Sequence, residues 1–205
     1  MIRHTVLFVW ADDVTEEQII RAKEGMAACY YASGVLALDY GSDLGLAPTP
    51  YGLCLVHDHR DRIAWDIYNK NEAHHRAGEY IKAMSKPDLA ARVDWPYEGP
   101  PSERGRIRHT ALYRWRKGID KSEQVAVRES LVDLRSLPSV IAVEYGDDVG
   151  WYPPNLDWIE EIHFESIDAM QSFFADPARR ETETLIAAAT VVEATAQVQH
   201  RMLAG

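Results

Sequence analysis

The chain repeats itself, and this repetition constrains its fold more than any other feature. Ile2–Thr5 (Ile-Arg-His-Thr) recurs as Ile107–Thr110, an offset of 105 residues. A second group of matches keeps the order and the offset; its members are Tyr40, Gly41, Asp43 and Gly45, against Tyr145, Gly146, Asp148 and Gly150. Several ordered matches at one offset indicate an internal duplication. We therefore predict a first repeat at residues 1–97, a linker containing proline and glycine at 98–106, and a second repeat at 107–205.

Each repeat shows the same order of predicted elements. Side chains alternate between two faces from Ile2 to Trp10, as in a β-strand. Thr15, with Gln18 three residues later, predicts a capped helix start. In the first repeat the predicted strands span 2–10, 35–40, 51–59 and 90–97, and the predicted helices span 15–31, 61–69 and 72–84. The second repeat follows the same order, β-α-β-β-α-β.

This order is typical of the ferredoxin-like unit, a four-stranded sheet with helices on one face. The bare face of each sheet has to be covered. We predict an α+β fold in which the two repeats pack sheet to sheet as an intramolecular dimeric α+β barrel. The chain then completes its barrel as a monomer. Its outer sheet edges and helices could still pair with other copies, so a higher homo-oligomer is the alternative.

Charge and composition exclude several classes of protein. The 205 residues carry a formal net charge of -10, and an acidic surface repels phosphate backbones, so nucleic acid is not an expected partner. No apolar run approaches the roughly 18 residues of a membrane span. The first residues do not resemble a signal peptide, and we expect a soluble cytoplasmic protein. Cys29 and Cys54 are too few for a disulfide scaffold and lack metal-site spacing.

The repeats resemble the stress-responsive dimeric A/B barrel (Dabb) family. The resemblance rests on the opening Arg3–Phe8, on Tyr-Gly-x-Asp after the second strand, and on an acidic helix start followed by Tyr68-x5-His74 in the first repeat. It covers nearly the whole chain. It implies the barrel fold and, for some members, chemistry on small carbonyl compounds, as in olivetolic acid cyclase-type barrels and a hydroxynitrile lyase.

The resemblance also implies three catalytic residues in the first repeat. Tyr68 and His74 match the tyrosine and histidine that act in the polyketide cyclases of the family. His4 matches a first-strand histidine that lines the same pocket. The second repeat keeps His109 but has Phe173 and Arg179 at the other two positions. The resemblance therefore implies a pocket in the first repeat, with the second repeat as a supporting half or a site for something different.

The residues themselves also suggest acid–base chemistry. A histidine titrates near neutral pH and can take a proton from carbon or oxygen. A tyrosine hydroxyl can donate a hydrogen bond to a carbonyl that gains enolate charge. Such a pair suits enolisation, aldol closure or the reverse cleavage, with no metal and no organic cofactor. Tyr68 and His74 do not share a helix face, so we expect the helix to break near residues 69–71, as Pro177 indicates for the second repeat.

Each candidate also has a purely structural interpretation. His4 alternates with apolar residues, which fits a buried core histidine, and His109 repeats it, which fits a role common to both repeats. Tyr68 fits helix packing with a polar tip. His74 fits a solvated surface pair with His75. The sequence leaves these alternatives open.

Other polar residues fit a structural role more simply. His57 and His59 lie on one strand face at a spacing that suits a metal ion. No third ligand can be named, so we interpret the pair as an edge-strand coincidence. Asp39 and Glu144, beside the Tyr-Gly turns, look like exposed strand ends.

The leading functional hypothesis is a cofactor-independent cyclase or lyase that acts on a small, largely apolar carbonyl compound of polyketide-like or aromatic type. In this hypothesis His74 is the base, Tyr68 orients the carbonyl and His4 assists. Two alternatives stay open. One is a non-catalytic small-molecule-binding or stress-associated barrel, and the other is a monooxygenase of the antibiotic-biosynthesis type.

Overall fold

The protein is described here by a computed structural model that covers residues 1–203. The first repeat contains the strands β1 (Ile2–Phe8), β2 (Ala37–Ser42), β3 (Leu53–His59) and β4 (Ala91–Pro96) and the helices α1 (Glu16–Ala28), α2 (Arg62–Asn69) and α3 (Glu72–Met84). The second contains the strands β5 (Ile107–Tyr113), β6 (Ala142–Asp147), β7 (Trp158–Phe164) and β8 (Ala196–Arg201) and the helices α4 (Lys121–Asp133), α5 (Ile167–Ala175) and α6 (Pro177–Ala189). The last two residues of the predicted second repeat lie outside the described part.

The ends of the predicted elements differ from the observed ones by a few residues. Strand β1 stops at Phe8, and Trp10 forms only an isolated bridge to Ser85. Helix α1 ends at Ala28 and continues as a short 3₁₀ turn to Tyr31. The predicted capping box is confirmed, because the side chain of Thr15 accepts from the Gln18 amide and the Gln18 side chain accepts from the Thr15 amide. None of the helices within residues 1–203 is long and apolar enough to cross a membrane.

The two repeats form two antiparallel sheets with the same topology. Their strand orders are β2-β3-β1-β4 and β6-β7-β5-β8. The registers also match, because β1 pairs His4 with His57 and β5 pairs His109 with Ile162, each at the offset of 105. The predicted α+β fold with two ferredoxin-like repeats is therefore confirmed.

Alternation along β1 separates two cores. Leu7 lies between the sheets, in a cluster with Leu112, Ile159 and Val198 of the second repeat. Phe8 packs on the opposite face, against a cluster that includes residues from α1, α2 and α3. Because successive strand residues point to opposite faces, His4 shares the helix-covered face with Phe8, and Arg3 shares the inter-sheet face with Leu7.

The repeated Asp of the Tyr-Gly-x-Asp motif joins the two halves. Asp43 accepts a hydrogen bond from the Gly45 amide at 2.7 Å and from the Gln199 amide of the other repeat at 3.0 Å. Asp148 makes the equivalent pair of bonds, from the Gly150 amide at 2.7 Å and from the Asp94 amide at 2.8 Å. The loop after the second strand of each repeat thus reaches the last strand of the other, which explains why the motif occurs twice.

The repeated glycine of the same motif permits a close approach between the sheets. A methyl group built on Gly146 would lie 2.5 Å from the Trp95 ring, and one on Gly41 would lie 2.6 Å from the His200 ring. Real Cβ atoms do not tolerate such distances. A side chain at either position would force the sheets apart, because packed interiors leave no room for an added carbon.

Charged groups, and not only apolar ones, fill the inter-sheet face. The Arg3 guanidinium pairs with both oxygens of Asp58 at 2.7 Å and donates to Glu161 of the other repeat at 2.5 Å. Arg108 donates to Asp39 at 2.9 Å. The expectation that Asp39 is an exposed strand end is therefore wrong, since its side chain is 1% exposed and is fixed by an arginine from the other repeat. Strand alternation shows only which face a residue shares, and the opposite sheet decides whether that face is covered.

Candidate active site

A cavity of about 130 Å³, the inner cavity, lies in the first repeat between the sheet and its helices. Its apolar wall includes Val6, Phe8 and Leu55 from the sheet and Met26 and Ile81 from the helices. An outer cavity of about 280 Å³ shares part of this lining. The residues common to both are His4, Tyr68, His74, Lys82 and Arg92. All three catalytic residues predicted from the sequence thus lie at the junction of the two cavities.

The expected helix break brings Tyr68 and His74 together. Helix α2 ends at Asn69 and α3 begins at Glu72, and the Tyr68 and His74 ring centroids are 4.5 Å apart. Asn71 caps α3 by accepting from the Ala73 amide at 2.9 Å. A continuous helix would place side chains six residues apart on different faces. The break is therefore what puts a phenol and an imidazole in the same cavity.

His4 is held by a buried carboxylate. Its Nδ1 lies 2.6 Å from Oδ1 of Asp94, and the side chain of Asp94 is 1% exposed. Burial opposes ionisation of Asp94, but the charge and hydrogen bond of His4 outweigh burial and lower the pKa of this carboxyl group. An ionised carboxylate can only accept, so Nδ1 of His4 carries the proton and Nε2 is the basic nitrogen.

The second repeat completes this site. Asn155, from the loop between β6 and β7, donates to Oδ2 of Asp94 at 2.9 Å and to Asp148 at 2.7 Å. Tyr152 of the same loop lines the outer cavity with Asn155. The second repeat therefore does more than cover the sheet, since it fixes the carboxylate that orients His4.

An aromatic wall from both repeats stands beside His4. The Trp65 ring lies 6.3 Å from the His4 ring and 5.6 Å from Trp151 of the second repeat. The Arg62 guanidinium lies over both indoles, at 4.9 Å and 4.7 Å. Cation–π contacts of this kind hold α2 against the neighbouring loop.

His57 also belongs to the site. It is buried, and Nε2 lies 3.4 Å from the Tyr68 hydroxyl. Burial, together with the nearby His4, His59 and His74, lowers the pKa of His57 well below its usual value, so this ring is neutral at pH 7. Its other nitrogen, Nδ1, has no hydrogen-bond partner within residues 1–203. A neutral imidazole whose Nε2 lies beside the Tyr68 hydroxyl can accept or relay a proton.

The interpretation of His57 and His59 as an edge-strand coincidence is wrong. Strand β3 is an inner strand, between β2 and β1. Nδ1 of His59 lies 2.9 Å from the carbonyl oxygen of Gly34. Because a carbonyl oxygen can only accept, Nδ1 is the donor. No cluster that could hold a metal ion occurs in the described part of the chain.

His74 is half-buried, and burial lowers its pKa. Its Nδ1 lies 3.3 Å from the Asn69 carbonyl. The neighbouring His75 is exposed. His74 is therefore not part of a solvated pair; one histidine lines the cavity and the other faces water.

The second repeat fills the equivalent space with side chains. Arg179 pairs with both oxygens of Glu160, at 2.7 Å and 3.0 Å, and Tyr113 donates to Glu160 at 2.8 Å. All three side chains are buried. His109 lies 3.4 Å from the same carboxylate. The replacement of His74 by Arg179 and of Leu55 by Glu160 thus puts an internal ion pair where the first repeat has its cavity of about 130 Å³.

Sequence reasoning missed Asp94, His57 and Asn155. A comparison of the two repeats could have found the first two, because the positions 105 residues later are Gln199 and Ile162. The loss of an ionisable side chain from one copy would have singled out these two positions as candidates. Asn155 gives no such signal, because its contact with Asp94 depends on how the halves pack.

Comparisons with known proteins bear on the fold. No family model matches the chain, and no curated protein matches it. Among solved structures, an anthrone oxidase-like protein superposes with a TM-score of 0.73 at 13% identity, over 98% of this chain and 91% of that one. A protein from Fusobacterium nucleatum, provisionally assigned as a monooxygenase, superposes with a TM-score of 0.69 at 14% identity, over 98% of this chain and 92% of that one. A similarly assigned protein from Lactobacillus acidophilus superposes with a TM-score of 0.58 at 12% identity, over 99% of this chain and 93% of that one.

At these identities the likeness shows the fold alone. The superpositions span nearly the full length of each chain. Together with the two matching sheets, they show that this chain is a ferredoxin-like α+β barrel in which two halves of one polypeptide take the places of two subunits.

Proposed function

We propose that the first repeat is a cofactor-independent lyase or cyclase that acts on a small carbonyl compound. The observation that carries this proposal is the His4–Asp94 pair at a partly apolar cavity that also contains Tyr68 and His74. Acid–base groups of this kind suffice for enolisation and for making or breaking the adjacent carbon–carbon bond. The Dabb resemblance points to the same class, and membership of that family is part of the proposal.

The proposal gives the base role to His4 instead of His74. Asp94 holds the proton on Nδ1 of His4 and stabilises the imidazolium that forms when Nε2 accepts a proton from the substrate carbon. Within residues 1–203 no comparable carboxylate pairs with His74, whose pKa is lowered by burial. His74 is neutral at pH 7 and serves as a relay that returns the proton at the end of the reaction.

Tyr68 supplies the hydrogen bond that stabilises the enolate. Burial raises the pKa of its hydroxyl, with a further contribution from the nearby Cys29, so the group stays protonated. A buried hydroxyl donates more effectively to developing oxygen charge than a solvated one. The enolate then attacks a second carbonyl in a cyclase, or forms by cleavage of a carbon–carbon bond in a lyase.

Proton exchange tests the proposal without knowledge of the natural substrate. The protein is incubated in D₂O with a series of aromatic methyl ketones, and exchange next to the carbonyl is followed by proton NMR. We expect acceleration by the native protein, and a loss of about 10²- to 10⁴-fold in the Asp94→Asn variant, because the amide would donate to Nδ1 and put the His4 proton on Nε2. Tyr68→Phe is expected to lose about 10²- to 10³-fold.

The second repeat supplies the control. His109→Gln changes the equivalent histidine outside the proposed site and is expected to keep the native exchange rate. Full exchange activity in Asp94→Asn or in Tyr68→Phe would contradict the proposal. Oxygen uptake with an aromatic substrate would favour a monooxygenase instead, and tight binding of a ketone with no exchange would favour a non-catalytic barrel.

A further inference from the structure

Two cations stand at the junction of the two cavities without a carboxylate partner. Lys82 of α3 and Arg92 of β4 line both cavities. Within residues 1–203, neither forms an ion pair; the Arg92 guanidinium lies only near a ring, 5.8 Å from Tyr152. The protein as a whole is acidic, with a formal net charge of -10. Unpaired positive charge at a cavity mouth in an acidic protein attracts an anion.

The backbone directs both cations toward the proposed catalytic groups. In the β1–β4 register Arg92 pairs with Val6, and Asp94 pairs with His4, so Arg92 lies one step along the helix-covered face from the carboxylate. Lys82 lies two helical turns after His74, on the same stripe of α3. A ligand group bound between the two cations is therefore next to the proton-transferring residues.

The position between His74 and Lys82 is a glycine. Gly78 lines the inner cavity, and a methyl group added to it would meet no heavy atom within 4 Å. A glycine inside a helix costs about 1 kcal/mol relative to alanine. Because Gly78 has no side chain, open space remains in the cavity on this face of α3, and a ligand can occupy it.

The second repeat has lost both cations, although it keeps an outer cavity of about 350 Å³ whose lining includes Met170, Gln197 and Gln199. The positions 105 residues after Lys82 and Arg92 are Ala187 and Gln197. The remaining cation of that region, Arg179, is neutralised by Glu160. The charges at positions 82 and 92 are thus specific to the first repeat and are not a general property of the fold.

We infer that the substrate carries a carboxylate, which Lys82 and Arg92 bind at the cavity mouth while the apolar carbonyl part enters the inner cavity. This inference rests on the proposed function and narrows its substrate class from a largely apolar carbonyl compound to a keto acid. With His4 neutral, Asp94 contributes one negative charge to this region against the two positive charges of Lys82 and Arg92, and its oxygens already accept hydrogen bonds from His4 and Asn155.

A pair of probes that differ in one charge tests the inference. Binding of 2,4-dioxo-4-phenylbutanoate and of its methyl ester is measured by isothermal titration calorimetry at pH 7. We expect the native protein to bind the acid about tenfold or more tightly than the ester. In the double variant Lys82→Ala with Arg92→Gln, which copies the second repeat, the two affinities are expected to agree within about twofold while the ester affinity is unchanged.

A matched control has the same change of net charge away from the cavity. The double variant Lys117→Ala with Lys121→Ala, at two exposed positions near the start of α4, also removes two positive charges and is expected to keep the native preference for the acid. Lys82→Ala alone changes an exposed side chain and gives a folded variant in which the preference is expected to fall. The inference is overturned if the acid does not bind, if the ester binds the native protein as tightly as the acid, or if the double variant keeps the preference. Because this experiment measures affinity and the proton-exchange experiment measures turnover, either proposal can fail without the other.

Discussion

A single side chain decides which ring nitrogen of the first-strand histidine carries the proton in each repeat. Asp94 accepts a hydrogen bond from Nδ1 of His4, whereas the side-chain amide nitrogen of Gln199 lies 3.2 Å from Nδ1 of His109 and donates to it. His109 then carries its proton on Nε2, which lies near Glu160. The same histidine thus has its basic nitrogen at Nε2 in the first repeat and at Nδ1 in the second. The difference between a carboxylate and an amide separates the two tautomers.

Buried histidines in the first repeat make its stability depend on pH. Burial lowers the pKa of His59 to about 4, and its Nε2 has no partner within residues 1–203. In the unfolded chain the pKa of a histidine is about 6.5. Between these values the unfolded state binds the proton and the folded state does not, so the free energy of unfolding falls as pH drops from about 6.5 to about 4.

We predict that His59→Phe reduces this loss of stability by roughly 3 kcal/mol. Phenylalanine already occupies the matching position, Phe164, and fits a buried site on this strand. Urea unfolding at pH 7 and at pH 4 provides the measurement. His75→Phe, at an exposed position, serves as the control and should leave the pH dependence as it is. An unchanged dependence in His59→Phe would show that this ring is not the group that titrates.

At the scale of elements, the break between α2 and α3 positions the site. The same break separates α5 from α6, where Asp176 caps the second helix by accepting from the Ala178 amide at 2.8 Å. Asn71 does this in the first repeat. Both side chains satisfy a backbone amide that the new helix leaves without an intrahelical partner.

Removal of the cap is expected to destabilise the protein. We predict that Asn71→Ala lowers the free energy of unfolding by about 1 kcal/mol, because the Ala73 amide loses its acceptor. Asn71→Asp keeps an acceptor and copies the second repeat, so its free energy of unfolding should stay within about 0.3 kcal/mol of the native value. Denaturant titration followed by circular dichroism gives both numbers. Equal losses in the two variants would mean that the side-chain oxygen of residue 71 does not stabilise α3.

At the scale of the whole molecule, a buried carboxylate couples the repeats. Glu161 belongs to the second repeat and accepts from Arg3 of the first, and it also lies 3.3 Å from Arg108 and 2.9 Å from His163. Its pKa is lowered because the two arginines outweigh the effect of burial. A network of this kind fixes how the sheets align, since its partners sit on different halves.

We predict that Glu161→Gln lowers the free energy of unfolding by about 3–5 kcal/mol, because two buried guanidinium groups lose their shared negative partner. Tryptophan fluorescence and far-ultraviolet circular dichroism should shift together in denaturant, as both repeats depend on this residue. Glu165→Gln, whose side chain is 73% exposed beside Arg106, should cost less than about 1 kcal/mol. Separate transitions for the two signals in the native protein would contradict the coupling of the halves.

Local spacing in the sequence was enough to predict most of the architecture. The offset of 105 fixed the duplication, and alternation around His4 placed it on one face of a strand. The six-residue spacing of Tyr68 and His74 required a helix break, which the structure contains. These features follow from backbone periodicity and capping, which act over a few residues, and from the comparison of one copy with the other.

The tertiary structure decided what those residues touch. The partner of His4 is 90 residues away along the chain, and Asn155 reaches the same carboxylate from the other repeat. Asp39, predicted to be an exposed strand end, is covered by the opposite sheet and paired with Arg108. The sequence by itself determined two ferredoxin-like repeats and a set of candidate side chains. Only the packing of one sheet on the other, with exchanged loops, determined which of them are buried, paired and near a cavity, because such contacts depend on distances in space that no local pattern encodes.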